Sequence, residues 1–171
     1  CVFKGQTTAA VSYAGQGIPI VFVGCSFELK SGHVFENNAG LNVIDCMVSA
    51  AGGELVRSEN PGAIYLENVF VTNAKQVKAG GPSLPGPAKW TCIQRYSYSP
   101  PKAVQHVHGK RMAEAIVQIQ PVAAPPSYGS LHDKHLWTAW PSFEDADSVN
   151  AKTLGAVGDG LADDTEALQR A

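Results

Sequence analysis

Short strand-like segments recur through the first half of the chain at a period of roughly 20 to 25 residues, and this period restricts the fold more than any other feature. Val23-Gly24-Cys25-Ser26-Phe27, Ile44-Asp45-Cys46-Met47-Val48 and Leu66-Glu67-Asn68-Val69-Phe70 share one pattern: apolar, polar or Gly, Cys or Asn, any residue, apolar. Their anchors are Cys25, Cys46 and Asn68, almost evenly spaced. Cys1-Val2-Phe3 reads as an earlier copy anchored on Cys1, and Trp90-Thr91-Cys92-Ile93 as a later copy anchored on Cys92, at closely similar spacings. The pattern thus extends to as many as five turns.

A second series lies about ten residues after successive anchors: Val11-Ser12-Tyr13, His33-Val34-Phe35 and Glu54-Leu55-Val56. Each unit therefore holds several short strands, separated by glycines suited to tight corners. Few segments carry a helical period. The expected fold class is all-β, a right-handed parallel β-helix (solenoid) whose turns stack about 4.8 Å apart. A leucine-rich repeat would need denser leucine spacing and a helical segment in each unit, and an antiparallel sandwich would not need so regular a ladder. On this alignment Cys1, Cys25, Cys46 and Cys92 occupy one place in the repeat. They are expected to stack as small apolar side chains, not to bridge or bind zinc, since no C-x-x-C pair occurs.

Composition agrees with a folded chain. The 171 residues are 44% hydrophobic and only 16% charged, which disfavours disorder. A net charge of -2 without clustered Lys and Arg argues against nucleic acid as a partner. The longest apolar run, Ile18 to Val23, contains Pro19 and is far short of the roughly 20 residues of a membrane helix, so no membrane partner is expected. No signal peptide stands at the start. The chain begins without Met and stops inside an apparent helix, so it is expected to be the middle piece of a longer polypeptide.

From Gly80-Gly81-Pro82-Ser83-Leu84-Pro85-Gly86-Pro87 onward the regularity ends. The expected organisation is residues 1–98 as the last coils of a first β-helix, 99–149 as an inter-domain connector, and 150–171 as the opening strand and capping helix of a second β-helix. In that last segment Asp163 is expected to cap a helix with Glu166 in the third position after it, and the glycines 158 and 160 to bring Asp159 back against its start. The run Gly155-Ala156-Val157-Gly158-Asp159-Gly160 followed by Asp163-Asp164-Thr165 resembles the opening of pectate-lyase-superfamily β-helices. A β-helix opening placed after β-helix coils and a connector resembles the tandem arrangement of glycoside hydrolase family 55, the exo-acting β-1,3-glucanases. The resemblance implies a secreted or extracellular glycoside hydrolase acting on β-1,3-glucan or a related polysaccharide, with the remaining parts of the polypeptide or a partner chain completing the site. It implies that the catalytic acid belongs to the second β-helix, outside this chain, and that this fragment alone is inactive. The alternatives are a non-catalytic glycan-binding or structural β-helix of the tailspike type, and a polysaccharide lyase or polygalacturonase-like enzyme.

Candidate site residues are few. Asp159, Asp163, Asp164, Thr165 and Glu166 read as a structural cap. Trp137 and Trp140 read first as packing of the connector onto a β-helix and second as flat apolar faces offered to a sugar ring. Glu28, Glu36, Asp45, Glu54 and Glu67 read as solvated acids beside turns or on outward strand positions. His106 with His108, and His132 with His135, lack any recognised ligand spacing, so no metal is expected. No cofactor motif occurs, because Gly155 to Gly160 leads into acids that would repel phosphate.

Overall fold

The apolar positions at each anchor do form strands, and the turns that separate them place successive copies side by side. The computed structural model describes residues 1–15, 18–58, 62–74, 76–78, 84–85, 89–100, 105–107, 109–112, 115–136 and 149–171. The chain divides into two compact units, Cys1–Leu136 and Trp137–Ala171.

In the first unit the strands come in successive sets of three. β1 (Val2–Lys4), β2 (Ala9–Tyr13) and β3 (Ile20–Val23) come first, then β4 (Ser26–Glu28), β5 (His33–Asn37) and β6 (Leu41–Ile44). β7 (Met47–Ser49), β8 (Val56–Arg57) and the long β9 (Ile64–Thr72) follow, and then β10 (Gln76–Lys78) and β11 (Leu84–Pro85). β12 (Thr91–Tyr98), β13 (Gln105–Val107), β14 (Lys110–Met112) and β15 (Ile116–Pro121) complete the strands. Equivalent strands pair in parallel along three lines of register. Phe3, Phe27, Val48 and Val71 align on β1, β4, β7 and β9. Val11, Phe35, Val56 and Val77 align on β2, β5, β8 and β10. Phe22, Val43 and Leu66 align on β3, β6 and β9. The molecule is mostly β, with parallel sheets.

Those lines of register build the core. Phe27, Phe35, Val43, Val48, Val56 and Leu66 are fully buried and belong to one cluster. Phe3 stacks on Phe27 at 4.8 Å, and Phe22 and Phe35 meet at 5.4 Å. Each such side chain contributes about 1.5–3 kcal/mol on burial.

The corner between the third and first lines needs a left-handed residue. Gly24, Asp45 and Asn68 have φ of 59°, 50° and 52°. Glycine, Asp and Asn are the residues that accept this conformation most readily. The bend preserves the ladder, since Gly24 N–H donates to Ile44 O and Asp45 N–H to Glu67 O, both at 3.0 Å. This corrects the sequence alignment by one position in the third copy. Asn68 stands with Asp45 and Gly24 at the bend, and Val69 takes the place of the cysteines. Cys1, Cys25 and Cys46 do stack, linked by Ser26 N–H to Cys1 O and Met47 N–H to Cys25 O at 2.9 Å each.

The fifth copy does not continue the parallel pairing. β11 turns back antiparallel on β10, β12 pairs antiparallel with β9 so that Cys92 faces Phe70, and β15 pairs antiparallel with β12. The stretch read as a connector thus contributes an ordered strand to the larger sheet. After β15 come a short helix, α1 (Tyr128–His132), capped by Ser127 Oγ accepting from Ser130 N–H, and a 3-10 turn at Asp133–His135.

The second unit is described over 149–171. The opening strand expected at residue 150 is instead a 3-10 turn, Ala151–Leu154, because Asn150 Oδ1 accepts from Lys152 N–H at 3.0 Å and Gly155 ends it at φ 102°. A helix, α2 (Thr165–Arg170), follows. Among the described residues no helix is long and apolar enough to cross a membrane.

Two substitutions test this description by urea denaturation. Phe35→Ala should cost about 3–5 kcal/mol, as for a fully buried aromatic ring. Asn68→Val, which forces a β-branched residue into the left-handed region, should cost about 2 kcal/mol or more, and Asn68→Gly should recover part of that loss.

Candidate functional site

Where apolar side chains at Val11, Phe35 and Val56 turn inward, the next residue on each strand turns outward. Ser12, Glu36 and Arg57 therefore stand side by side in register on β2, β5 and β8. They line a cleft of about 210 Å³ together with Tyr13, Asn38 and Ser58. That volume lies below the several hundred Å³ of a typical drug-sized pocket, and suits a single small ring.

The polar groups of the cleft are partly engaged with one another. Ser12 Oγ donates to Glu36 Oε2 at 3.5 Å, and Ser58 Oγ donates to Asn38 Oδ1 at 3.2 Å. Arg57 sits beside Glu36 in register, yet among the described ion pairs the two do not meet. The guanidinium reaches instead to His33, with Nη1 and Nε2 3.0 Å apart. A guanidinium only donates, so His33 Nε2 accepts and its proton resides on Nδ1. That Nδ1 is buried and 3.6 Å from Glu54 Oε2, close enough for an ion pair on protonation but too far for a hydrogen bond. The cleft thus offers a carboxylate, an amide, hydroxyls and a phenol ring within one small volume.

Asp45 belongs to a separate cluster at the corner ladder. Its side chain is only 13% exposed, which corrects its reading as a solvated acid. Asn68 Nδ2 donates to Oδ1, Lys134 Nζ approaches Oδ1 at 3.1 Å, and His135 Nε2 approaches Oδ2 at 2.8 Å. Burial alone would raise this carboxyl, but the hydrogen bonds from Asn68, Lys134 and His135 outweigh it and hold Asp45 below the usual carboxylate range. Beneath the same segment lies Gly24, where a Cβ would come within 3.0 Å of His132 Cα. What favours glycine there over the Asp and Asn of the equivalent positions is the close approach of α1, which a side chain would crowd. Glu54, with a side chain 16% exposed, is likewise not a freely solvated acid.

Glu67 forms a third cluster. Tyr65 OH donates to its Oε2 at 2.6 Å, and Arg95 Nη2 lies 3.4 Å from Oε1 across the β9–β12 pair. Burial and the neighbouring Glu67 carboxylate raise the Tyr65 hydroxyl. Glu28 is exposed and pairs with Lys4 at 3.1 Å.

The acids of the second unit, expected to cap its helix, hold instead the loop that precedes it. Asp164 is the helix N-cap residue in place of Asp163, and its carboxylate turns back to accept from Val157 N–H and Gly158 N–H at 2.8 Å each. Asp159 accepts from Ala162 N–H at 2.8 Å and Leu161 N–H at 2.9 Å, and Asp163 from Thr165 N–H at 3.0 Å. The amides of Ala162 and Leu161 lower the Asp159 carboxyl, and the Thr165 hydroxyl and then its amide lower that of Asp163. Glu166 contributes its carbonyl to Arg170 Nε at 3.3 Å rather than closing a capping box.

Trp137, Trp140 and His108 lie outside the described residues. His106 is exposed on β13, His132 pairs with Asp133, and His135 pairs with Asp45. Among the described residues no three His, Cys, Asp or Glu converge as metal ligands would. Of the cleft, the sequence singles out only Glu36, and as a solvated acid. Ser12, Tyr13, Asn38, Arg57 and Ser58 escape it, although one signal is present: Ser12, Glu36 and Arg57 each follow an inward apolar residue at one place in the repeat. No family model, curated protein or solved structure matches the chain.

Two measurements probe these environments. A carboxyl lowered on folding stabilises above its unfolded value, about 3.9 for Asp, and loses that contribution as pH falls through the folded value. Asp45→Asn should therefore be less stable than the parent at neutral pH, with the gap closing as acid protonates Asp45 in the parent. Burial pushes the Cys46 thiol up to about 12 and also raises Cys92. Brief treatment with iodoacetamide at pH 8, mapped by mass spectrometry, should modify exposed Cys1 and spare Cys46 and Cys92 until urea unfolds the chain.

Proposed function

We propose that the first unit forms coils of a right-handed parallel β-helix in a secreted, carbohydrate-active protein of the pectate-lyase superfamily. The order of parts in the sequence resembles that of glycoside hydrolase family 55, and on this reading the substrate is β-1,3-glucan or a related polysaccharide. The observation that carries this reading is the in-register parallel alignment of three lines of strands at one repeat each, joined at corners of positive φ. A chain that returns to the same sheet in parallel does so with a right-handed crossover in nearly every known case. The cleft along β2, β5 and β8 is the glycan-contacting surface, where hydroxyls of a sugar exchange hydrogen bonds with Glu36, Asn38, Ser12 and Ser58 and its ring lies against Tyr13. Glycoside hydrolysis needs a carboxylic acid on the leaving oxygen and a second carboxylate to direct water or attack. That acid lies outside this chain, and no catalytic residue is assigned within it.

A second reading is a non-catalytic glycan-binding β-helix. One observation favours it: Asp45, Glu54 and Glu67 each lie within ion-pairing distance of a basic side chain. Such engagement suits structural roles better than proton transfer.

Titration with β-1,3-linked glucose oligosaccharides, followed by backbone amide shifts, tests both. The expected perturbations centre on Ser12, Tyr13, Glu36, Asn38, Arg57 and Ser58. Asn38→Ala should weaken binding about three- to tenfold, the worth of one or two hydrogen bonds. A chain that binds neither glucan nor pectin oligosaccharides overturns both readings, and binding without sugar release by the full-length protein favours the second.

A further inference from the structure

We infer that His33 is the positioning residue of the cleft: while neutral it holds the Arg57 guanidinium away from Glu36, and its protonation lets Arg57 and Glu36 close on each other. The inference rests on the glycan reading of the cleft only for the ligand used in its test. The geometry itself is independent of that reading.

Arg57 and Glu36 are register neighbours on adjacent parallel strands, a spacing of about 4.8 Å between backbones, and opposite charges so placed ordinarily pair. Here the guanidinium passes over that partner and donates to His33 Nε2 at 3.0 Å. The contact exists only while Nε2 carries a lone pair, because two N–H donors cannot bond each other. His33 is thus fixed as the Nδ1–H tautomer. The charged groups facing it among the described residues are Arg57 on β8 and Glu54 just before β8. On the other side, β2 presents Ala9, the register neighbour, and Thr8, whose carbonyl accepts from His33 N–H at 2.9 Å. Among the described residues, Glu36, further along β5, is held by Ser12 Oγ at 3.5 Å.

Protonation acts on both ring nitrogens. A proton taken from solvent at Nε2 replaces an acceptor with a donor and sets a second positive charge against Arg57. The same charge is drawn to Glu54 Oε2, 3.6 Å from Nδ1, a buried nitrogen without a hydrogen-bond partner among the described residues. Glu54 therefore retains the imidazolium as Arg57 leaves it. The released guanidinium has Glu36 beside it, and an Arg57–Glu36 pair occupies the two groups that the open cleft keeps apart. The cleft then loses both its carboxylate acceptor and its open volume. Histidine in general is the side chain whose charge changes between pH 5 and 8, and this sets the range of the experiment.

The experiment uses the whole chain and has two arms. In the first, without ligand, side-chain nitrogen resonances of His33 and Arg57 are followed by NMR from pH 8 to pH 5. The expected result is a neutral Nδ1–H signature at pH 8 and an Arg57 shift that tracks His33 protonation. In His33→Gln, whose Oε1 accepts from Arg57 without titrating, the Arg57 signal should stay constant. In the second arm, affinity for a β-1,3-linked glucose trisaccharide should fall at least fivefold over the same range in the parent and remain flat in His33→Gln. An Arg57 resonance indifferent to His33, or a His33→Gln variant that keeps the parent's pH profile, overturns the inference. If the trisaccharide binds at no pH while Arg57 still tracks His33, the positioning role is supported and the glycan reading of the cleft fails.

Discussion

A backbone that bends without breaking its hydrogen-bond ladder is the constraint on which the first unit depends. At Gly24, Asp45 and Asn68 a single left-handed residue redirects the chain, and the amides of Gly24 and Asp45 still reach the next copy at 3.0 Å. Without such a corner a strand as short as β4 or β7 could not join its predecessor and stay in parallel register with its neighbours. Side chains then follow from register. Because copies align residue on residue, Phe3 meets Phe27 and the core grows as columns of apolar residues, with Phe22 of the third line packing across onto Phe35 of the second. The corner also explains the location of polar groups in its vicinity. Asp and Asn are there because they accept positive φ, and once present they need donors, which Asn68, Lys134 and His135 supply to Asp45.

The same register that fills the core also assembles the cleft. One residue past each inward apolar position lies Ser12, Glu36 or Arg57, so three unrelated chemistries are forced onto one line. Stacking a cation beside a carboxylate would normally produce an ion pair of modest worth. The presence of His33 changes that outcome, since it gives the guanidinium an acceptor at 3.0 Å in the other direction. A cleft can remain open between opposite charges only if something else engages one of them. The His33 ring does so here, 3.0 Å from the guanidinium.

The periodic half of the chain is legible because its period is written in apolar residues that pack together. The strand series around Val11, Phe35 and Val56, and the stacking of Cys1, Cys25 and Cys46, follow from spacing alone. Asn68 falls out of place when Cys and Asn are treated as equivalent small residues. Conformation, not size, decides its position: Asn68 shares positive φ with Asp45 and Gly24, whereas Cys46 is matched by Val69. The reversal of β12 is hidden because a strand pattern has the same period whichever way the strand runs. Parallel and antiparallel copies differ in their connections, and the Gly- and Pro-rich stretch before β12 marks a break without giving its direction. The cleft is invisible for another reason. Outward residues vary along the repeat, so their grouping emerges only once register is known.

Acidic residues illustrate how far composition is from chemistry in this fold. Asp45, Glu54 and Glu67 look alike in sequence, each beside a turn or on an outward position. Their surroundings tie them down differently: Asp45 between a lysine, a histidine and an amide, Glu54 opposite an imidazole, Glu67 between a phenol and a guanidinium. For Asp45 the same bonds that anchor it also lower its affinity for the proton, which makes it a poor proton donor. Glu36 differs from these three, since its hydrogen bond comes from a neutral hydroxyl at 3.5 Å and its natural counter-ion is held elsewhere. The acid least committed to the scaffold is the one that faces the cleft. Its availability is therefore a property of His33 and Arg57 as much as of Glu36 itself.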